Sequence, residues 1–173
     1  MADDAGGGAA MAARAGFAVD QHAFGPGLGL RLGGIEIPGA PRLHGHSDGD
    51  AALHAVAGAL LGAAALGDLG SLFPADDRTP RGVASAELLA GTVARLAAAG
   101  WRPASVDLSI RAARPAIGGH LGAMQAAIAG LLGLPPEAVG VKASTGNLSG
   151  DAGAGRTVEA QAISTIARLG GES

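Results

Sequence analysis

A chain of 173 residues makes one domain at roughly 150 residues per domain. With 48% hydrophobic and 16% charged residues it is no disordered acidic or basic tail. A net charge of −3, with Lys142 as the one lysine, leaves no basic stripe for nucleic acid, and the absence of cysteine excludes disulfides, a thiol nucleophile and thiolate-bound metal. The apolar and glycine run over 56–67 is too short to span a bilayer, and the opening Met-Ala-Asp-Asp carries no basic n-region. A soluble, cytoplasmic chain with no membrane span and no signal peptide is therefore expected. Alanine supplies 41 residues and glycine 31, while 2% are aromatic, so a lone monomer buries little apolar area and oligomerisation is expected.

Residues 1–13 are small, without cap or turn signal, and read as a disordered extension to a single domain over 14–173. Residues 14–24 alternate around Phe17 and Val19 as a first strand, and the glycine-proline stretch 25–29 reads as a loop. Leu30-Arg31-Leu32, Gly33-Gly34 and Ile35-Glu36-Ile37 have the pattern of a hairpin turning on two glycines, with 38–45 irregular behind it. A helix over 51–66 follows, capped by Ser47 or Asp48, with Asp50 favouring its first turn and Gly67-Asp68-Leu69-Gly70 ending it. Residues 71–82 form a polar loop, 85–99 an amphipathic helix stopped by Gly100, and 106–112 a strand alternating Val106, Leu108 and Ile110. A loop with Pro115, Gly118 and Gly119 leads to a helix over 121–132, a turn at Pro135-Pro136-Glu137, a strand over 139–143 and a glycine-rich loop over 144–155. The final segment, 157–169, suits either a helix or a strand running into one. This order predicts an α+β or α/β sandwich with helices on one face of a mixed sheet.

Asp20-Gln21-His22 ends the first strand, and a spacing of two puts both outer side chains on one sheet face. Asp50 and His54, four apart, share one face of the following helix. Asp20, His22 and His54 together would supply a carboxylate and two imidazoles, three ligands with a fourth position open, as in catalytic zinc sites. A lone D-x-H is common in loops. What favours the metal is clustering, because four of the five histidines fall between His22 and His54. Asp50 could instead orient His54 as a hydrogen-bond acceptor. His46 and Ser47 sit just before the helix N-terminus, whose N–H groups suit a phosphate, and Ser47 could also be simply the cap.

These residues resemble the 2-C-methyl-D-erythritol 2,4-cyclodiphosphate synthase family of non-mevalonate isoprenoid biosynthesis. The matching blocks are Asp20-Gln21-His22-Ala23-Phe24, Gly33-Gly34-Ile35-Glu36-Ile37-Pro38, and His46-Ser47-Asp48-Gly49-Asp50-Ala51-Ala52-Leu53-His54-Ala55. The run from Leu60 to Gly70, then Leu72-Phe73-Pro74, Ser85 with Glu87-Leu88-Leu89, Val106-Asp107 and Val141-Lys142-Ala143, keep the order, over about residues 14–169. The resemblance implies an α+β homotrimer whose sheets line a central axis, with active sites between neighbours. It implies a divalent metal, usually zinc, on Asp20, His22 and His54, and a loosely held Mg²⁺ or Mn²⁺ between two substrate phosphates. The implied reaction is phosphoryl transfer, in which a 2-phosphate attacks the β-phosphorus of a cytidine diphosphate ester and CMP leaves. His46 and Ser47 match phosphate contacts and stand with Thr145 as the implied catalytic set. Asp68 and Gly70 match contacts to methylerythritol hydroxyls, and Ala112, Pro115, Ala143, Ser144 and Thr145 match the remaining substrate contacts.

The second half departs from the family. Where a proline-lysine pair is usual, Pro115-Ala116 stands, with Arg114 as a substitute cation. Asn147 replaces a metal-binding glutamate, and Arg156 is the nearest candidate for an arginine facing the axis. Gly58 stands for an aspartate one turn beyond His54, and Ala18 for a glycine of the first-strand motif. Three readings follow: the cyclase itself, a relative acting on another phosphate ester, and a non-catalytic trimer that binds metal or metabolite.

Overall fold

The computed structural model describes residues 13–170, so the expected disordered extension lies outside the described residues except for Ala13, which opens the first strand. Among the described residues, five strands form one sheet in the order β2-β1-β5-β3-β4. They are β1 (Ala13–Leu32), β2 (Ile35–Leu43), β3 (Trp101–Arg111), β4 (Val139–Ser144) and β5 (Thr157–Arg168). Only the β3–β4 pair is parallel. The mixed α+β class expected from the sequence is the one observed.

Four strand expectations change. β1 runs unbroken through 25–29, where a loop was expected, by bulging between Phe24 and Leu30. Gly27 and Gly29, at φ 89° and 94°, absorb those bulges in a backbone region that favours glycine. Residues 38–43, expected to be irregular, belong to β2. Pro38 and Pro41 are tolerated there because β2 is the edge strand and needs no N–H on its open side. β5 is a strand throughout: it lies between β1 and β3, and Val158, Ala160, Ala162, Ser164 and Ile166 are buried at every second position. β3 also starts earlier than expected, at Trp101. The Gly33-Gly34 hairpin turn is as expected, with both residues at positive φ.

The main helices are α1 (Ala51–Ala64), α3 (Ser85–Ala98) and α4 (Leu121–Leu132). Four-residue helices α2 (Leu69–Leu72) and α5 (Gly150–Gly153) occupy parts of the expected loops. α1 stops two residues short of Leu66 because Ala65 turns left-handed. Its cap is Asp50 rather than Ser47 or Asp48. One buried carboxylate accepts from Leu53 N (3.0 Å), Gly33 N (2.8 Å) and Gly34 N (2.7 Å), tying the hairpin turn to the helix start. Burial pushes this carboxyl above its usual range, while the three N–H donors pull the other way. Asp50→Ala is expected to destabilise the fold by about 2–4 kcal/mol, because it orphans donors at both a cap and a hairpin turn. Chemical denaturation checks this, and an unchanged midpoint contradicts it.

α1 lies on β1 and β5, α3 on β3, and α4 on β4. α4 also touches β2 at the opposite sheet edge, where Met124 packs under Gly33, so the sheet curls. Among the described residues, the other sheet face carries no helix. Phe17 (61% exposed), Val19 (51%) and Ile163 (49%) stand bare on it, beside Ser109, Arg111 and Gln161 at matching positions. No helix among the described residues is long and apolar enough to cross a membrane.

Candidate active site

Even-numbered β1 residues face α1, and the approach of the two elements is set by small side chains. A Cβ on Gly16 would overlap the Ala59 carbonyl, and one on Gly58 would come within 3.0 Å of Ala18 Cβ. The departures at 18 and 58 therefore fit each other: with a methyl on the strand, a side chain at the facing helix position would be crowded. This close docking carries His54, in the first turn of α1, to Asp20 and His22.

The three side chains converge as the sequence predicts. His22 Nε2 lies 2.7 Å and His54 Nδ1 3.5 Å from Asp20 Oδ2, with 3.3 Å between the two nitrogens. One ligand atom from each fits within 4.8 Å of the others, as shared coordination of one cation requires. Asp20 Oδ2 is buried, with no hydrogen-bond partner beyond its close approach to the two rings. An orphaned carboxylate oxygen facing two ring nitrogens fits a divalent cation. Each outer nitrogen has a protein partner of its own, which orients the ring. His22 Nδ1–H donates to the His44 carbonyl, and His54 Nε2 meets Ser47 Oγ at 3.1 Å and Ser85 Oγ at 3.0 Å. Asp50, a sequence candidate for orienting His54, does not do so, since its carboxylate is committed to the cap.

Burial raises the Asp20 carboxyl, but contacts and charge from His22 and His54 outweigh it and hold the group at about 2. His22 moves up, chiefly through its contact with Asp20, against the opposing effect of burial. A proton on His22 Nε2 and a cation exclude each other, and the raised pKa keeps that proton bound at a pH where an ordinary histidine has lost it. Divalent-cation affinity is therefore expected to fall on acidification from above the usual histidine value of roughly 6.5. Asp20 stays ionised over that range. Zn²⁺ titrations from neutral to mildly acidic pH check this, and a flat profile contradicts it.

His46 and Ser47 line a cleft of about 170 Å³ that also touches His54, Gly70 and Phe73. Ser47 Oγ accepts from Gly49 N and faces His54, so it does not cap α1. His46 Nε2 is 2.7 Å from the Thr79 carbonyl, which ties it to the 73–84 loop. Asp68 is exposed and caps α2 through Ser71 N and Oγ; these bonds hold its carboxyl below the usual range.

The remaining predicted residues lie elsewhere in the chain. Ala112, Ala143, Ser144 and Thr145 line a second cleft of about 260 Å³ together with Ala116, and it shares no lining residue with the first. Pro115, after a cis bond, adjoins it. Arg114 does not supply the missing cation there: its guanidinium stacks over Phe24 at 5.3 Å and its Nε donates to the Gly155 carbonyl. Asn147 has left-handed backbone (φ 49°, ψ 44°), which asparagine tolerates better than glutamate. Arg156 pairs with Asp151, while Arg111, 3.5 Å from Glu159, lies on the bare sheet face. Sequence reasoning missed His44, Ser85 and Arg111 as site or face residues. Ser85 stood within a matched block, and the other two carried no local signal.

A model of the YgbB family matches residues 13–167. The 2-C-methyl-D-erythritol 2,4-cyclodiphosphate synthase of Dechloromonas aromatica (strain RCB) is 45% identical over 157 residues, 91% of this chain and 98% of its own length. The bifunctional IspDF from Campylobacter jejuni superposes with a TM-score of 0.86 at 31% identity, over 91% of this chain and 42% of that longer one. A CDP-bound 2C-methyl-D-erythritol-2,4-cyclodiphosphate synthase does so with a TM-score of 0.77 at 35% identity, over 88% of this chain and 99% of the other. Sequence and fold agree across nearly all of the described residues, and the chain belongs to the YgbB family.

Proposed function

We propose that this chain is a phosphorus-oxygen lyase of non-mevalonate isoprenoid biosynthesis. It converts 4-diphosphocytidyl-2-C-methyl-D-erythritol 2-phosphate to 2-C-methyl-D-erythritol 2,4-cyclodiphosphate and CMP. The observation that carries this reading is the convergence of Asp20, His22 and His54 beside the His46–Ser47 cleft. The cyclodiphosphate synthases among its relatives support it. A 2-phosphate oxygen forms a bond to the β-phosphorus while the bond from that phosphorus to the α,β-bridging oxygen breaks, and CMP departs with that oxygen. No side chain has to act as nucleophile, so the protein's work is positioning and charge neutralisation.

In this reading Asp20, His22 and His54 hold Zn²⁺ or another divalent cation. When bound, the cation supplies Lewis-acid polarisation of the β-phosphate. Ser47 Oγ already accepts from Gly49 N and has its own proton to give to a phosphate oxygen, and His46 Nε2–H leaves Thr79 to do the same. Asp68 and Gly70 take the methylerythritol hydroxyls. Ala112, Pro115, Ala143, Ser144 and Thr145 cradle the cytidine diphosphate, largely through backbone N–H and C=O groups. Asn147 offers a neutral amide where a carboxylate is usual, so the substrate phosphates are the main ligands of Mg²⁺ or Mn²⁺.

Residues 14–173 act as a single domain and assemble as a homotrimer. Two observations support the trimer. The bare face of Phe17, Val19 and Ile163 needs a partner, and the two clefts share no lining residue, in keeping with a site in which the second cleft of one copy meets the triad of its neighbour. A substrate built on a cytidine nucleotide supports a cytoplasmic enzyme.

The test is CMP release from the cytidylyl substrate with Zn²⁺ and Mg²⁺, alongside sedimentation. The expected result is release that a chelator stops and Zn²⁺ restores, from a particle of three 16.6 kDa chains. A metal-loaded trimer that releases no CMP at high enzyme concentration overturns the reading.

A further inference from the structure

We propose that Ser85, backed by Asp48, is a positioning residue that sets the ring tautomer of His54; this rests on reading Asp20, His22 and His54 as a cation site. A neutral imidazole has one N–H and one lone pair. The inner nitrogen of His54, Nδ1, faces Asp20 Oδ2 at 3.5 Å and His22 Nε2 at 3.3 Å, so it can bind a cation only if the proton sits on the outer Nε2.

Two hydroxyls meet Nε2, from Ser85 at 3.0 Å and Ser47 at 3.1 Å. A hydroxyl donates or accepts equally well, so neither serine alone selects a tautomer. Asp48 does. An ionised carboxylate only accepts, and its Oδ1 takes a short hydrogen bond from Ser85 Oγ. Ser85 has a single proton, which is thereby committed to Asp48. Its lone pair then faces His54, which must donate from Nε2.

Ser85 is 0% exposed, so bulk solvent does not compete with Asp48 or His54 for its hydroxyl. The carboxylate is itself held, because Oδ1 accepts from Asp50 N at 3.3 Å and Asp48 N donates to the Val83 carbonyl. The chain carboxylate–serine–histidine thus joins the loop before α1, the first residue of α3 and the triad. It also leaves the Ser47 proton free for the cleft. Without Ser85, the Ser47 hydroxyl can donate to His54 Nε2 and place the ring proton on Nδ1, against Asp20, where it blocks the cation.

Three measurements on wild type, Ser85→Ala, Ser85→Thr and Asp48→Asn test this: imidazole ¹⁵N–¹H correlation spectra of the metal-free protein, Zn²⁺ affinity by chelator competition, and visible spectra of the Co²⁺ form. Wild type is expected to carry the His54 proton on Nε2. Ser85→Ala is expected to show Nδ1–H, an altered Co²⁺ band and about 10- to 100-fold weaker Zn²⁺ binding. Ser85→Thr keeps the hydroxyl and wild-type behaviour, a rescue that a packing role would not produce. Asp48→Asn falls between. Should Ser85→Ala fail to fold, Ser85→Thr and Asp48→Asn carry the test. A folded Ser85→Ala protein with wild-type Zn²⁺ affinity and Nε2–H overturns the proposal, as does Nδ1–H in the wild type. A wild type that binds no Zn²⁺ overturns the cation site itself, and the role of Ser85 with it.

Discussion

His54→Ala is expected to abolish CMP release while leaving the chain folded. His54 is the only ligand of the triad that comes from a helix, and its Nδ1 is the third corner of a cluster whose atoms lie within 4.8 Å. Removing it leaves Asp20 and His22 facing each other as an ordinary carboxylate–imidazole contact of 2.7 Å. Two donors hold a divalent cation far less well than three. Affinity should fall by more than the roughly 100-fold that loss of an outer partner costs. A bound metal contributes several kcal/mol to phosphoryl transfer, so the rate should drop by at least about 10³-fold. Stability should change little, since the cap, the hairpin tie and the α1 core do not pass through this ring. CMP release, Zn²⁺ titration and a melting curve on one preparation check all three statements. Wild-type turnover in His54→Ala would remove the metal from the mechanism.

Gly16→Ala is expected to be the most damaging single methyl in the fold. A Cβ there would lie 2.1 Å from the Ala59 carbonyl oxygen, 2.5 Å from Ala63 N and 3.0 Å from Ala63 Cα. All three neighbours are backbone, so no side chain can rotate away; strand and helix must separate. Overpacking costs about 1–3 kcal/mol where side chains can yield, and a backbone clash belongs at or beyond the upper end. Against a total stability of about 5–15 kcal/mol, that lowers the melting temperature by roughly 6–12 °C. Separation of β1 from α1 also draws His54 away from Asp20 and His22, so Zn²⁺ affinity should fall with stability. Gly62→Ala is the control: it lies in the same helix with nothing within 4 Å and should stabilise by up to about 1 kcal/mol. Equal melting temperatures for Gly16→Ala and wild type would contradict the close docking of α1 on β1.

The triad was legible because its spacings are short-range geometry. A D-x-H on a strand and a histidine in the first turn of the next helix each fix a face without tertiary knowledge. The same holds for α3 and α4, where Gly100 and Gly133 end regular apolar stretches, and for the Gly33-Gly34 turn. The strands were harder. β5 is so rich in small residues that its period was ambiguous, and only its place between β1 and β3 decides it. β2 carries two prolines, which read as irregular until the sheet order makes it an edge. The cap was misread because Ser47, Asp48 and Asp50 are all good caps locally, and Asp50 wins by also reaching the hairpin amides.

The order of residues thus determined the chemistry of the site: which side chains could hold a cation, which elements carry them, and that the chain is a mixed α+β fold built from small side chains. Only the tertiary structure decided how those side chains are aimed. The His44 carbonyl behind His22, Ser85 behind His54 across 31 positions, and the turn of Arg114 onto Phe24 are contacts between segments distant in sequence. The physical reason is that spacing along the chain constrains a face within one strand or helix. The orientation of a ring or guanidinium answers to whatever a different element packs against it.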